Sequence, residues 1–345
     1  MNIRTLAYPF LLLLLLEGCL DITTTTRLHL DGSLTRSVLL EGDLSDIQLG
    51  SRLLAIDSTW AKVTDTTASG NQRVTATREF KSSEEATRAL SGIPTKKIGI
   101  ALNVEKRFRW FTTTYRYEET WRKLNPFDLV PMSNYLSKRE IEMFLAAKSG
   151  KDSTDTPGDQ LAKKAAEERA NEWTRRNAFE EYFNRILDGA KAVNDPALPV
   201  DTIRAAKDRI YKRISELMDS DKMKNDDSVC QVFAAELANP NIKRVFEASA
   251  GALAQIKETM EFLLESGRPR YSVSAVVPGL ITSTNAQTIE GNKVSWRDFG
   301  ETFVYFADYT MWVESTVANW WAILGTGVVI VGIGLVMVIG LVRRK

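Results

Sequence analysis

The chain has 345 residues, room for two or three domains at about 100–200 residues each. Hydrophobic residues make up 44% and charged residues 26%, so a sizeable core can form and composition excludes intrinsic disorder. Formal net charge is +1, and without Arg4, Glu17, Arg343, Arg344 and Lys345 it leaves 41 basic and 43 acidic residues, one His and two Cys, which excludes a general nucleic-acid binder, a His-rich metal site and a disulfide framework.

The chain opens with Arg4 and an apolar stretch from Leu6 to Leu16. Eleven helical residues rise only about 16 Å, too short for a bilayer core of roughly 30 Å, so this reads as an export signal. Leu16, Glu17, Gly18 and Cys19 follow. They resemble a bacterial lipobox, although Glu17 departs from the small or apolar residue usual at its position. The resemblance implies a signal peptide over residues 1–18 and a lipid on the Cys19 sulfur.

Residues 20–125 are rich in Thr, Val, Ile and aromatics, which is strand chemistry. Ile22, Thr24, Thr26, Leu28 and Leu30 alternate with polar residues, Asp31-Gly32-Ser33 supplies a turn, and residues 34–40 return. This predicts a hairpin. Further strands are expected at 52–60, 72–80 and 97–107, with a short helix at 83–91 that starts from Ser82 or Ser83 and stops at Gly92. Residues 104–123 read as two strands or one long bent one.

Residues 137–267 are rich in Ala, Glu, Lys, Arg and Leu, which is helix chemistry. The polar segment 149–159 reads as a loop, and a helix carrying Phe179, Phe183, Ile186, Leu187 and Ala190 begins near 158. Ile203, Ala206, Ile210, Ile214, Leu217 and Met218 mark a second helical face. Val229, Phe233 and Leu237 mark a short helix. Ile242, Phe246, Ser249, Leu253, Ile256, Met260 and Leu263 mark a long one that starts at Asn239-Pro240 and ends before Gly267. Short links between them predict an antiparallel bundle.

Strand chemistry returns over 270–316. Pro278-Gly279 ends one strand, Gly291-Asn292 turns a hairpin, Trp296 faces the core, and Tyr305 to Val317 alternates. Trp320 to Val342 then runs 23 residues without a charge, about 34 Å as a helix and enough to span a membrane. Trp320 and Trp321 suit one interface, and Arg343, Arg344 and Lys345 mark the cytoplasmic end. Gly325 and Gly332, and Gly327 and Gly334, are each seven apart, so two stripes of small residues offer a surface for self-association.

The expected fold class is therefore α+β. An antiparallel β-rich domain, 19–125 with 268–319, carries an inserted antiparallel helical bundle at 126–267. One transmembrane helix at 320–342 and a tail at 343–345 complete it.

No nucleophile motif accompanies His29, the single histidine, and Cys230 falls on an apolar helical face. The acidic pairs Glu118-Glu119, Glu167-Glu168, Glu180-Glu181 and Asp226-Asp227 read as solvated faces. No metal-ligand spacing or phosphate loop stands out, so no catalytic residue, metal or cofactor is assigned. The best surface candidate is the strip Arg107, Arg109, Phe111, Tyr115 and Tyr117, which shares one alternation phase on a continuous strand and suits sugars or lipid headgroups.

Pro278, Gly279, Asn285, Gly291, Asn292, Val294 and Trp296 form a late pattern that resembles the envelope lipoproteins of the mycobacterial LppM type. The layout of lipobox, first hairpin and C-terminal membrane helix is similar too, while the helical insert falls outside it. The resemblance implies an α+β envelope domain without an established enzyme activity. The expected function is a non-enzymatic, membrane-anchored bacterial envelope lipoprotein on the outer face of the cytoplasmic membrane. It would bind membrane lipid or a protein partner. The other readings are an envelope hydrolase or transferase using paired carboxylates, and a scaffold that docks partners through the helical insert.

Overall fold

A computed structural model describes residues 20–67, 70–91, 97–145, 157–219 and 226–343. The expected signal peptide and Cys19 lie outside them, as do Gly92, Arg344 and Lys345. The described chain is α+β, with eleven strands in two sheets and helices gathered mainly between the sixth and seventh strands.

The strands are β1 (Asp21–Leu28), β2 (Leu34–Gly42), β3 (Ala61–Thr66), β4 (Gln72–Phe80), β5 (Ile100–Phe108), β6 (Thr112–Trp121), β7 (Arg270–Val276), β8 (Leu280–Thr284), β9 (Thr288–Glu290), β10 (Lys293–Arg297) and β11 (Tyr309–Ala318). One sheet runs β3-β4-β2-β1-β7-β10-β9 and the other β5-β6-β11-β8. Pairing is antiparallel except between β1 and β7, where Asp21 lies beside Arg270. The chain thus leaves after Trp121 and returns at Arg270 to complete both sheets. Alternation sets the inner faces, as the pleat requires. Ile22, Val38, Val273 and Val294 face inward from the first sheet, and Tyr117, Trp121, Met311 and Val313 from the second. Trp121 is ringed edge-on by Tyr271, Phe299 and Phe303 at 5.0–5.4 Å between centroids.

The helices are α1 (Leu44–Leu53), α2 (Ser83–Leu90), α3 (Lys138–Leu145), α4 (Pro157–Val193), α5 (Val200–Ala205), α6 (Lys207–Asp219), α7 (Asp226–Leu237), α8 (Ile242–Gly267) and α9 (Trp320–Val342). α4 and α8 run antiparallel: Asp195, just past α4, meets Asn241 and Arg244, and Arg185 meets Ser249. Phe183, Ile186, Ile210, Phe233 and Ile242 close the core among α4, α6, α7 and α8. The helices join the sheets near a π-helical turn at Thr302–Phe306. There Phe306 stacks on Trp173 and packs on Phe144, and the Thr302 hydroxyl donates to the Phe144 carbonyl.

Four expectations about elements are corrected. Residues 52–60 are not a strand: Asp43 caps a helix by accepting from the Asp46 amide, and Ile47, Gly50 and Leu53 form its buried face, a capping signal that outweighs strand chemistry. Of the expected loop, residues 149–156 lie outside the described residues and 157–159 belong to α4, which starts at Pro157 beside the expected start near 158, since proline fits the first turn of a helix. α8 starts at Ile242, because the Asn239 side chain accepts from the Asn241 amide and holds residues 239–241 as a turn. The last strand begins at Tyr309, after the π-helical turn.

Candidate membrane-proximal site

β5 and β6 meet in a tight hairpin. The Arg109 amide donates to the Thr112 carbonyl at 2.7 Å, and the Thr112 amide donates back to the Arg109 carbonyl at 3.2 Å. The two turn residues are Trp110 and Phe111. Neither has a positive φ, so this turn does not rely on the Asn-Gly chemistry that most two-residue hairpins need.

Asn319, between β11 and α9, latches onto this turn. Its amide donates to the Phe111 carbonyl at 2.8 Å. Its side-chain nitrogen donates to the Arg109 carbonyl at 2.8 Å and to the Trp110 carbonyl at 3.3 Å, while its side-chain oxygen accepts from Thr113 at 2.9 Å. Three successive turn carbonyls are thereby satisfied by one residue. Beyond the latch, Phe108 stacks on Trp321 at 6.2 Å, Trp110 meets Trp321 edge-on at 5.6 Å, and the Trp110 indole donates to Thr326 at 3.0 Å.

α9 itself is long and apolar enough to cross a membrane by length and composition, and most of its described side chains are exposed. A side chain added at Gly325, Gly327, Gly332 or Gly334 would meet nothing within 4 Å.

The expected strip of Arg107, Arg109, Phe111, Tyr115 and Tyr117 is split by this turn. Arg107, Arg109 and Phe111 are exposed at the tip, whereas Tyr115 and Tyr117 are buried on the inner face of β6. The alternation phase does not survive a hairpin, since the return strand restarts it. Tyr115 donates to the Leu30 carbonyl at 2.7 Å, and Lys106 donates to the same carbonyl at 2.7 Å.

Tyr117 belongs to a second constellation that sequence reasoning missed. Glu119 is fully buried, contrary to its reading as a solvated residue, because Glu118 and Glu119 point to opposite faces of a strand. It receives Arg36 from β2 through two bonds of 2.9 and 3.0 Å, the Trp121 indole at 2.6 Å, and the Tyr117 hydroxyl. Arg36 also donates to Thr26 at 2.9 Å. Burial pushes the Glu119 carboxyl up, but the Arg36 guanidinium and the Tyr117 and Trp121 donors more than offset this and hold it below its ordinary range. Burial raises Tyr117 well above a normal phenol, and the Glu119 charge adds to that rise. Every one of these side chains is committed to its neighbours. The cluster joins the two sheets and leaves no carboxylate aimed at a cleft.

The late motif residues work in the same structural way. The Asn285 side chain accepts from the Trp296 indole at 3.0 Å and the Trp312 amide at 2.9 Å, and donates to the Thr310 carbonyl at 2.8 Å. Asn292 donates through its side chain to the Val277 carbonyl at 3.1 Å. Gly291 turns the β9–β10 hairpin at φ +63°, and Val294 and Trp296 are fully buried. Gly279 follows Pro278 at φ +82°, where a Cβ would lie 2.3 Å from the Thr316 carbonyl oxygen.

His29 shares a 2.8 Å hydrogen bond with Thr35 across the first hairpin. Glu180 engages Arg176 and Lys207, and Glu181 engages Arg185. Cys230 is half-buried on α7. Among the described residues no three His, Cys, Asp or Glu side chains gather as metal ligands would. An apolar pocket among α4, α6 and α7 is lined by Phe179, Tyr182, Tyr211, Ile214 and Met218, among others.

No protein-family model matches the chain, and no curated protein does. Among solved structures, the NMR structure of the folded domain of Mycobacterium tuberculosis LppM aligns with 89% of this chain and 95% of that chain, at 7% identity and a TM-score of 0.28. A likeness at that score carries no argument about fold, ligand or partner.

Proposed function

We infer that the chain is a membrane-anchored bacterial envelope protein that works by binding. α9 crosses the cytoplasmic membrane, the sheets and helices lie on its outer face, and the basic residues from Arg343 onward stay in the cytoplasm. Cys19 carries a lipid that acts as a second anchor in the same membrane. The folded part holds a membrane lipid or a protein partner close to the bilayer.

The observation that carries this reading is the direct passage from β11 through Asn319 into an uncharged helix of 23 residues. No linker separates the sheet from the helix, so an anchored helix keeps the sheet at the membrane. Binding is favoured over hydrolysis because Glu119 is committed to Arg36 and Glu118 points away from it.

Native mass spectrometry of the full chain released from detergent micelles tests the reading. A retained adduct of defined lipid mass, together with a diacylglyceryl-modified Cys19 peptide, is expected. Turnover of an envelope substrate that disappears in His29→Ala or Glu118→Gln would overturn it.

A further inference from the structure

We propose that the β5–β6 hairpin tip is a further membrane contact, seated in the lipid interface beside the first turns of α9. This rests on the reading of α9 as a membrane span. The occupant is the phospholipid bilayer, in the leaflet on the side of the sheets.

The depth of the tip follows from its contacts. Trp110 bonds to Thr326, six residues beyond Trp320, which is about 9 Å along the helix axis. The headgroup zone on each side of a bilayer is roughly 5–8 Å thick. With Trp320 at the outer edge of that zone, the Trp110 indole sits at or just past its inner edge, where an amphipathic ring is favoured. Phe108, Trp110 and Phe111 are 58%, 56% and 49% exposed. Phe108 and Trp110 pack on Trp321, and Trp110 reaches Thr326, which makes the tip continuous with the helix flank that lipid covers.

Two further features suit the tip to a dry layer. Backbone carbonyls cannot enter lipid unsatisfied, and Asn319 has accepted that task for the carbonyls of residues 109, 110 and 111. The turn residues are also unusual for water. No backbone demand selects Trp110 and Phe111, since neither is left-handed, so their side chains answer to what surrounds them. Arg109 is exposed and its backbone carbonyl meets Asn319 at the head of α9, which puts a guanidinium within reach of lipid phosphates.

Photo-cross-linking tests the contact. The full chain carries p-benzoylphenylalanine singly at Phe108, Phe111, Val329 or Leu161, in vesicles of phosphatidylethanolamine and phosphatidylglycerol with radiolabelled acyl chains. Val329 reports the span, and Leu161 is an exposed position on α4. Light is expected to transfer label to chains probed at Phe108 and Phe111 about as well as at Val329, and at least about tenfold above Leu161, because acyl chains are excluded from water. Label at Val329 with only the Leu161 background at both tip positions would overturn the tip contact and leave the span standing. Background at Val329 as well would overturn both.

Discussion

Arg36 and Glu119 meet between the two sheets with almost no exposure, and Tyr117 and Trp121 close the remaining acceptor sites. Among the helices the interior is built otherwise. Phe183, Ile186, Ile210, Phe233 and Ile242 fill it, and the ion pairs of Arg176 with Glu180 and Asp208 ride on its flank. The difference teaches what each interior must specify. α4 and α8 are aligned by a long seam of interlocking side chains, which can relax by small shifts. The two sheets also share an apolar interior, with Trp121 of β6 against Tyr271 of β7, but a two-bond arginine–carboxylate pair admits one geometry. The buried pair therefore acts on alignment of β2 against β6, at the desolvation cost that any sealed ion pair carries.

Removing one partner should have the largest effect. Glu119→Ala leaves a guanidinium sealed without its anion, which costs about 3–5 kcal/mol. Guanidinium unfolding of the detergent-solubilised chain measures this. Arg36→Met combined with Glu119→Leu should recover part of the loss, since the sealed charge is gone but the Tyr117 hydroxyl and Trp121 indole still lose their acceptor, while amide exchange in β2 and β6 should rise if the pair sets alignment. A loss below about 1 kcal/mol in Glu119→Ala would place the cost of sealing above the benefit of pairing. The same pair sets an acid limit. The folded carboxyl titrates below its unfolded counterpart, so the unfolded chain takes up the proton first as pH falls. The stabilisation is complete above the ordinary glutamate range and disappears as pH drops through the lowered folded value. The double variant should lack that acid slope.

The helical interior should answer to lost volume. Phe233→Ala removes a fully buried ring that stacks near Phe183 and meets Phe246 edge-on, at about 3–5 kcal/mol. Hydrogen exchange should show α4, α6, α7 and α8 losing protection while β1, β2 and β6 keep theirs. Equal loss in the sheets would mean that the two interiors open as one unit, and the comparison would fail.

Gly279→Ala comes next. The added Cβ would strike the Thr316 backbone, which cannot swing aside as a side chain can, and φ is left-handed. A loss of more than about 1 kcal/mol is expected, with faster exchange confined to β8 and the end of β11.

Much of this was legible in the residues. The Asp31-Gly32-Ser33 and Gly291-Asn292 turns, the Ser82 cap, the helical faces and α9 each carry a local signal, and the structure follows them. Two things were not legible, for one shared reason. The turn at Trp110-Phe111 lacks Gly, Asn or Pro, so the sequence pattern runs on as one strand and sets the five strip residues on one face. Glu119 sits beside Glu118 in sequence, and only knowledge of β6 as a two-faced strand with β2 opposite would set it against Arg36. Both depend on partners more than 80 residues away, Arg36 for Glu119 and Asn319 for the turn. No window of sequence contains such pairs.

The smallest expected effect tests the seam between α4 and α8. Gly189→Ala alone would gain about 1 kcal/mol from helix propensity, were the site open. It is not: the new Cβ would lie 1.9 Å from the Ser249 hydroxyl oxygen and 3.0 Å from the Val245 carbonyl oxygen. The hydroxyl now donates to the Val245 and Arg185 carbonyls, and rotating it away forfeits that contact between helices, which is worth about 0.5–1.5 kcal/mol. Propensity and contact then nearly cancel, so Gly189→Ala should fall within about 1 kcal/mol of the parent. Ser249→Ala in the same chain removes the obstructing oxygen but leaves the carbonyl close, so the pair should be no less stable than Gly189→Ala alone. A pair less stable than either single change would mean that α4 and α8 are held by the hydroxyl bridge more than by their apolar seam, and the contrast between the two interiors would narrow.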